Sequence, residues 1–402
     1  MRPELREGPS EQALLFQLPL ARQVIGVFVK RTYVLAHGAR MQPAPDSLGL
    51  LPSVIDEDQG GTQPTACIVH ESDLIPFKPW TDIVVHGHAR SPGAVPVSSM
   101  MMALRLGELV RPVAVFADRR VEHRRGTRPR FGAPQPFREL PLTWRRSYGG
   151  IDPAVRRAPA RGILDALIFT QPLTHPGVYP RNPSGTGWIV EGERQLGGLL
   201  LPNFEDPEDL LVPARLICGT PEAWVHAPVP AGFGWFGQMW FPRSLYAGQI
   251  PTGIHAGSNL AEVHGGWLPA DLAPLLDPER EDFDRRFFSG AGPGLRASHL
   301  RGDEALELYG FTHDGPLRSA LPGHRPEVII AFRRRPLPYS IALHTIELFP
   351  DDGLATLTWV ALAEPPQLLP LSLPDPERLA EYDVLEGVDV MVDDHLLLQR
   401  TG

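Results

Sequence analysis

Short apolar runs that alternate with glycine- and proline-rich turns limit the folds open to this chain more than any other feature. The clearest example lies within residues 77–150, where apolar runs occupy residues 83–85, 100–106 and 110–116. The run at 83–85 is β-branched, which favours a pleated surface, and the Gly107-Glu108 break suits a tight hairpin turn. We therefore predict a meander of three strands in this stretch, ending at residues 118–120.

The same alternation continues along the rest of the chain. Further strands are predicted at residues 23–36, near 65–70, and at 328–332, 339–349 and 354–363. The clearest helical stretch is 278–286, with Asp277 as a possible N-cap, and a second short helix is predicted near 376–385. Residues 42–64 are predicted to form a loop or a poorly ordered insert. The fold class is therefore mainly β, with packed antiparallel sheets, long Gly/Pro-rich loops and one or two short helices.

Composition narrows the class of protein. The chain has 402 residues, of which 43% are hydrophobic, so it can bury a large core although it contains 45 prolines and 39 glycines. A net charge of −9 argues against nucleic acid as a partner. Acidic residues at the N-terminus do not suit an export leader, and no apolar run approaches the length of a membrane span. We predict a cytoplasmic protein with no membrane partner, whose Cys67 and Cys218 stay reduced.

No motif in the sequence points to a specific reaction. Residues 232–237 match the glycine spacing of a dinucleotide-binding turn, but prolines precede them and Pro242 follows too soon for a phosphate-binding helix. His86 and His88 would share one face of a strand, yet no third metal ligand is identifiable. There is no Gly-x-Ser-x-Gly motif, and neither cysteine has a catalytic signature. We predict no catalytic residues, no metal and no cofactor.

A dense aromatic cluster lies in the glycine-rich segment near residue 235. Its members are Phe233, Trp235, Phe236, Trp240 and Arg243. Two interpretations are open: the residues pack in the core, or they form an interface hot spot, which typically combines aromatic residues with arginine. Because turns usually lie at the surface, we expect part of the cluster to be exposed and predict that these five residues bind a partner.

A set of short motifs resembles one family, the domain-of-unknown-function 2169 family. The motifs are Lys78, Thr81-Asp82-Ile83, Gly87-x-Ala89, Asp118-Arg119, Pro136-Phe137, Pro141-Leu142, Tyr148-Gly149-Gly150, Asn182-Pro183-x-Gly185-x-Gly187, Pro202-Asn203-x-Glu205 and the Gly-Phe-Gly at 232–234. The resemblance covers roughly residues 20–325. One departure lies beyond it, where Trp359 is followed by Val360-Ala361 although family members usually carry Trp-Arg-Gly.

The resemblance implies a function that composition alone does not. The family is associated with type VI secretion clusters, which implies a non-enzymatic adaptor or chaperone that binds a secreted effector. Such an adaptor helps to load the effector on the secretion spike, through a VgrG-type or PAAR-type component. The implied organisation is an N-terminal segment (1–20), a β-rich core domain (21–325) and a C-terminal β-hairpin region with an acidic tail (326–402), packed on the core.

An enzyme is the alternative that the residues leave open. Its site would be hydrolase-like and built on the loops of residues 182–243, which are rich in glycine, proline and asparagine. Co-purification with a large partner would favour the adaptor, whereas turnover of a substrate would favour the enzyme.

Overall fold

Strands provide most of the regular structure in the computed structural model of this chain. The structure describes residues 9–17, 23–56, 67–156, 177–192, 194, 196–247, 284–298, 300–332, 335–363 and 389–396. Within them every helix has six residues or fewer, so the predicted mainly-β class is confirmed.

The strands are numbered in chain order. They are β1 (Glu11–Gln17), β2 (Gln23–Val34), β3 (Ala39–Arg40), β4 (Gln42–Pro43), β5 (Val54–Asp56), β6 (Cys67–His70), β7 (Thr81–Val85), β8 (His88–Arg90), β9 (Ser99–Leu106), β10 (Leu109–Phe116), β11 (Val121–Glu122), β12 (Arg130–Phe131), β13 (Glu139–Pro141), β14 (Tyr148–Gly149), β15 (Thr186–Gly187), β16 (Phe204–Glu205), β17 (Arg296–Ala297), β18 (Ala305–Tyr309), β19 (Leu317–Ala320), β20 (His324–Phe332), β21 (Arg335–Tyr339), β22 (Ile341–Phe349), β23 (Leu354–Ala363) and β24 (Asp389–Leu396).

The helical elements are short. The α-helices are α1 (Pro153–Arg156) and α2 (Arg243–Tyr246), and the 3₁₀ helices are Pro92–Ala94, Trp144–Arg146, Pro213–Arg215, Pro221–His226 and Arg285–Phe288.

Two large sheets pack face to face around the main core. The first has the order β1-β2-β23-β22-β7-β17, with β4 also paired to β2, and the second has the order β16-β10-β9-β18-β19-β3. Side chains from both sheets meet in one apolar cluster, which includes Val27, Ile83, Met102, Val113 and Leu357. A smaller sheet, β21-β20-β24, adds Val328 and Ile330 to the same core.

Two of the three strands in the predicted meander are neighbours in the structure, and the third belongs to the other sheet. Strands β9 and β10 form the expected hairpin, with Gly107 at its turn in a positive-φ conformation (φ 55°). The run at residues 83–85 instead belongs to the first sheet, where β7 lies parallel to β22. A three-residue apolar run is compatible with either sheet, so the pattern could not tell which strand would be its partner.

The other predicted elements agree in part. The strand near residues 65–70 is β6, and residues 42–64 contain the short strands β4 and β5. Most of the predicted helix at 278–286 lies outside the described residues; its end is a 3₁₀ turn capped by the Asp284 side chain, which accepts from the Arg286 backbone N–H. The predicted helix at 376–385 also lies outside them.

Of the strands that follow residue 325, β22 and β23 lie at the centre of the first sheet, whereas β21 and β24 belong to the smaller sheet. β23 pairs with β2 on one side and with β22 on the other, and β22 pairs with β7. Residues from both ends of the described chain therefore complete a single sheet.

A second aromatic core lies among the loops that follow β10. It includes Tyr148, Tyr179, Trp188, Trp224 and Phe241. The turns that surround it are held by close backbone contacts between two of the motifs. Asn182 donates from its side-chain amide to the backbone oxygens of Trp144 and Tyr148, at 2.8 and 3.1 Å.

Gly149 is the tightest point of this contact. It has a φ of 143°, and a Cβ atom there would lie 2.1 Å from the Asn182 backbone oxygen. No flexible side chain can move aside to relieve this contact, because the neighbouring atom belongs to the backbone. The two motifs therefore require glycine at this position.

We expect Gly149→Ala to lower the free energy of unfolding by about 3 kcal/mol or more, since it adds a backbone clash to the left-handed strain. Gly198→Ala is the matched control, because Gly198 has a φ of 78° and open space around its Cβ position. The control should cost only about 1 to 2 kcal/mol. Urea denaturation measures both, and equal losses would contradict the proposed clash.

Candidate functional site

One face of the first sheet is buried but polar. Side chains that alternate with the apolar core positions point to this face from four strands. They are Lys30 and Thr32 on β2, Thr356 and Thr358 on β23, Thr345 and Glu347 on β22, and Asp82 on β7, and all are buried. The segments before β7 and after residue 233 cover this face and place further polar side chains against it.

Four ionisable side chains form a closed cluster on this face, here called the charge cluster. Its members are Lys30, His70, Asp73 and Glu347. The Lys30 ammonium lies 2.8 Å from Asp73 Oδ2 and 3.5 Å from Glu347 Oε2. His70 lies between the same carboxylates, with Nδ1 3.0 Å from Glu347 Oε1 and Nε2 3.3 Å from Asp73 Oδ2. All four side chains are about 1% exposed.

The protonation states of the charge cluster balance two positive groups against two negative ones. Burial lowers the pKa of His70, but Glu347 and Asp73 outweigh burial and raise it to about 9. Burial opposes ionisation of Glu347, yet His70 and Lys30 hold its pKa well below the ordinary value. The pKa of Asp73 is also lowered against burial by Lys30, and the pKa of Lys30 is raised by the two carboxylates. The cluster is therefore neutral overall at pH 7.

His70, Asp73 and Glu347 could also be considered as metal ligands, since their ligand atoms lie within 4.8 Å of one another. The positions of these three side chains suit proton binding better than metal binding. The two nitrogens of His70 face different carboxylates, so one nitrogen cannot share a metal with both. The Lys30 ammonium already neutralises Asp73 at 2.8 Å. The prediction that the chain holds no metal stays a prediction.

The two histidines considered from the sequence do not face one another as a ligand pair. His86 Nε2 lies 2.9 Å from Glu347 Oε1, and its ring stacks on Phe349 at a centroid distance of 4.8 Å. His88 Nδ1 instead lies 2.7 Å from Asp351 Oδ2. Gly87, with a φ of 135°, separates them, so the regular alternation of a strand does not hold across this pair.

The expectation that the aromatic cluster is partly exposed is wrong. Phe233, Trp235 and Phe236 are each 1% exposed, Trp240 is 4% exposed and Arg243 is fully buried. The backbone does turn there, as predicted, but residues 290–291 cover it: Phe236 N–H donates to the Gly290 oxygen, and Trp235 forms a bridge with Ala291. These residues form part of the core, so they can affect a partner only through the shape of the fold.

Trp235 and Arg243 connect the aromatic cluster to the buried charges. Trp235 Nε1 donates to Glu347 Oε1 at 3.3 Å, and the Lys78 ammonium lies 5.0 Å from the centre of the Trp235 ring. Arg243 Nη1 lies 2.6 Å from Glu71 Oε2 and also donates to the Phe236 backbone oxygen. The aromatic residues therefore help to fix the charged side chains.

The glycines at 232–237 serve close packing. A Cβ atom at Gly232 would lie 3.1 Å from the Trp144 ring, and one at Gly292 would lie 2.8 Å from the same ring. Trp144 in turn contacts Phe236 and Trp240 edge-on. The glycine spacing that resembles a nucleotide-binding turn is explained by packing, because the Trp144 indole leaves little room for side chains there.

The loops of residues 182–243, where an enzyme site would lie, pack around the second aromatic core. Burial raises the pKa of the Cys218 thiol to about 11, so this thiol is protonated and a poor nucleophile near neutral pH. Asn203 accepts from Arg146 at 2.9 Å and donates to Asp118 Oδ1 at 2.9 Å. Glu205 pairs with Arg119 and accepts from the Leu211 backbone N–H.

The motifs that carry the resemblance contact one another in pairs. Asp118-Arg119 meets Asn203 and Glu205, and Tyr148-Gly149-Gly150 meets Asn182. Lys78 pairs with Asp82 at 2.9 Å, and Asp82 accepts from the backbone N–H groups of Gly290 and Ala291. These side chains bind backbone groups and each other inside the protein, so they define a shared framework.

Comparison with known proteins agrees with this framework. Residues 21–360 match the family model described as an uncharacterized protein conserved in bacteria (DUF2169). The chain belongs to this family. No curated protein and no solved structure shows significant similarity to it. The DUF2169 match includes β22 and most of β23, and with them Glu347.

Sequence reasoning missed the charge cluster of this DUF2169 chain. The available signals were single polar residues at strand positions, above all Lys30 within the apolar run of β2. Lys30 and Glu347 are 317 residues apart in sequence. No local pattern relates two residues at that separation.

Among the described helices of this chain, none is long and apolar enough to cross a membrane.

The charge cluster predicts a loss of stability at alkaline pH. The ordinary pKa of histidine is 6.5, whereas the pKa of His70 in the fold is about 9. Its proton therefore stabilises the fold fully below pH 6.5, and this contribution is lost as the pH rises to about 9. We expect the free energy of unfolding to fall by about 3 kcal/mol over this window, as measured by urea denaturation at several pH values.

His70→Gln is the control for this prediction. It should be less stable than the wild type at pH 6.5 and should lack the decline between pH 6.5 and 9. The pKa of Cys218, raised by burial from its ordinary value of 9 to about 11, affects stability mainly above that window. An equally steep decline in His70→Gln would assign the pH dependence to other groups.

The burial of Trp235 predicts a stability effect for its removal. Trp235→Ala should lower the free energy of unfolding by about 3 to 5 kcal/mol, because it leaves a large cavity and removes a donor to Glu347. Trp80→Ala, at a half-buried tryptophan, is the matched control and should cost clearly less. Thermal and urea unfolding measure both. A Trp235→Ala protein of unchanged stability would show that this residue is not part of the core.

Proposed function

We propose that this protein is a non-enzymatic adaptor that binds a type VI secretion effector in the cytoplasm and helps to load it on the spike. The observation that carries the proposal is the location of the family motifs. Several of their polar side chains form bonds inside the protein that hold the framework, as in the contacts of Asp82, Asn182 and Glu205. A framework of this kind supports a binding surface, which would be supplied by side chains outside the motifs.

The outer face of the second sheet is the best candidate for that surface. Met101 is 54% exposed and Val110 is 57% exposed, although both lie within long strands of a central hairpin. The register places Ala103 directly opposite Pro112, between these two residues on the same face. We call this set the β9–β10 face.

The β9–β10 face has features of a protein interface. Its apolar residues form a continuous strip on two hydrogen-bonded strands. The backbone therefore loses little conformational entropy when a partner binds. A flexible methionine can adapt to the shape of a partner. A charged row borders the strip, where Arg105 lies opposite Glu307, and Arg318 lies 3.3 Å from Glu307. Such a border would fix the orientation of a partner.

The first test identifies the partner. A tagged copy of the chain should capture one secreted protein from the native bacterial cell, and deletion of the chain should abolish secretion of that protein by the type VI system. Capture of proteins whose secretion does not depend on the chain would contradict the adaptor role. Turnover of a substrate without any such partner would favour the enzyme instead.

The second test locates the surface. Met101→Asp and Val110→Asp should each weaken binding of the captured effector by about 1 to 2 kcal/mol or more while the melting temperature stays within a few degrees, since both side chains are exposed. Isothermal titration with purified effector measures the affinity. Ile55→Asp is the matched control, because Ile55 is 54% exposed but lies on β5 in a different sheet. Equal weakening by the control would exclude the β9–β10 face.

A further inference from the structure

A cleft opens where β7 and β22 begin, at one end of the first sheet. Its volume is about 560 Å³, within the range of sites that bind small molecules or chain ends. Six of the residues that line it carry charge, a ring nitrogen or an indole: Lys78, Trp80, Arg301, Arg325, His344 and Trp359. In the described part of the chain, no acidic residue lines the cleft. The cleft therefore favours an anionic ligand.

Arg325 is the cation best placed to bind that anion. Its side chain donates one hydrogen bond, from Nη2 to the Ile341 backbone oxygen at 3.3 Å. It has no carboxylate partner among the residues that the structure describes. The other two cations are already paired, Lys78 with Asp82 at 2.9 Å and Arg301 with Asp303 at 2.7 Å. A guanidinium with unused donors is suited to a carboxylate, which it can bind through two parallel hydrogen bonds.

His344 supplies the second polar group of the cleft, and it is held in an unusual position. The pairing of β22 with β23 shifts between Leu343 and Thr345, so His344 sits in a β-bulge. Bulges redirect side chains and are common beside functional sites. His344 is buried, with 6% of its surface exposed, and its Nδ1 has no hydrogen-bond partner among the described residues. A buried polar atom without a partner is costly unless a ligand supplies one.

The protonation of His344 shows which kind of partner Nδ1 requires. Burial and the nearby positive charge of Lys78 lower the pKa of His344 to about 4, so the ring is neutral at pH 7. The Ile75 backbone acts in the opposite direction and favours the protonated form of the ring. We assign the single proton of the neutral ring to Nε2, which leaves Nδ1 as the unpartnered nitrogen. Nδ1 is then an acceptor and needs an N–H or O–H donor from the ligand.

We propose that this cleft binds the C-terminal end of a polypeptide. The terminal carboxylate would pair with Arg325, the amide N–H of the last residue would donate to His344 Nδ1, and the last side chain would lie against Trp80 and Trp359. A chain end is a ligand that presents an anion, a neighbouring N–H donor and an apolar group together. The inference rests on the proposed function, since the ligand of an effector adaptor is a polypeptide.

The experiment uses N-acetylated amino acids as probes, since each carries the free carboxylate and the amide N–H of a chain end. The complete set of N-acetyl amino acids is titrated into the full-length protein, and the indole N–H signals of its eight tryptophans are followed by NMR. Trp80→Phe identifies the signal of Trp80. At least one probe should shift this signal at millimolar concentration, whereas its carboxamide counterpart should not.

Three variants assign the contacts. Arg325→Gln should weaken binding of the best probe by about tenfold or more, and Arg138→Gln, at an exposed arginine outside the cleft that also donates to a backbone oxygen, should leave it unchanged. His344→Phe should remove the preference for that probe over the matching acid that lacks the N–H group. Arg325 is exposed, so its variant keeps the proposal testable if His344→Phe fails to fold.

Four results would overturn the proposal. They are the absence of any shift at Trp80, equal binding of the carboxamides, equal binding of acetate or inorganic phosphate, which would indicate an anion site only, and unchanged affinity in Arg325→Gln. None of these depends on capture of an effector. If the probes bind but no effector is captured, the adaptor role alone is rejected. If an effector is captured but no probe binds, the chain-end site in the cleft alone is rejected.

Discussion

The pairing of two buried cations with two buried carboxylates is the constraint on which the rest of the structure depends. A charged group buried alone costs several kcal/mol, so Lys30, His70, Asp73 and Glu347 must be placed together or not at all. They come from β2, from the segment around β6 and from β22. Their mutual contacts therefore fix how the first sheet and its covering segments are assembled. A slip of β2 or of β22 would separate these charges, so the cluster reinforces the register that the buried apolar face already favours.

The segments that cover the polar face are fixed in place by its buried polar side chains. Trp235 reaches Glu347, and Asp82 anchors the backbone of residues 290 and 291. Those residues in turn cover the aromatic cluster. The glycine-rich segment is thus shaped by its contact with buried polar groups and with the Trp144 ring, so its unusual composition reflects packing. The surfaces left for partners are those that this interior does not use.

Local features of the sequence determined what could be predicted. Alternating apolar runs and the Gly107-Glu108 break identified the mainly-β class and the β9–β10 hairpin, because both are local patterns. The partner of β7 could not be predicted, since any neighbouring strand would satisfy its three apolar residues. The burial of Trp235 and Arg243 was missed for a related reason. Turn residues predict the local backbone conformation. Whether a turn is buried depends on segments far away in sequence, here residues 290–291.

The central position of β23 has a consequence for the order of folding. β2, at residues Gln23–Val34, can pair early with β1, yet its other edge is completed only by β23, at residues Leu354–Ala363. During synthesis this edge stays open until almost the whole described chain has left the ribosome. Long-range pairing of this kind slows folding and exposes an unpaired strand edge in the meantime. A newly made chain therefore passes through a period in which the unpaired edge of β2 is open to aggregation.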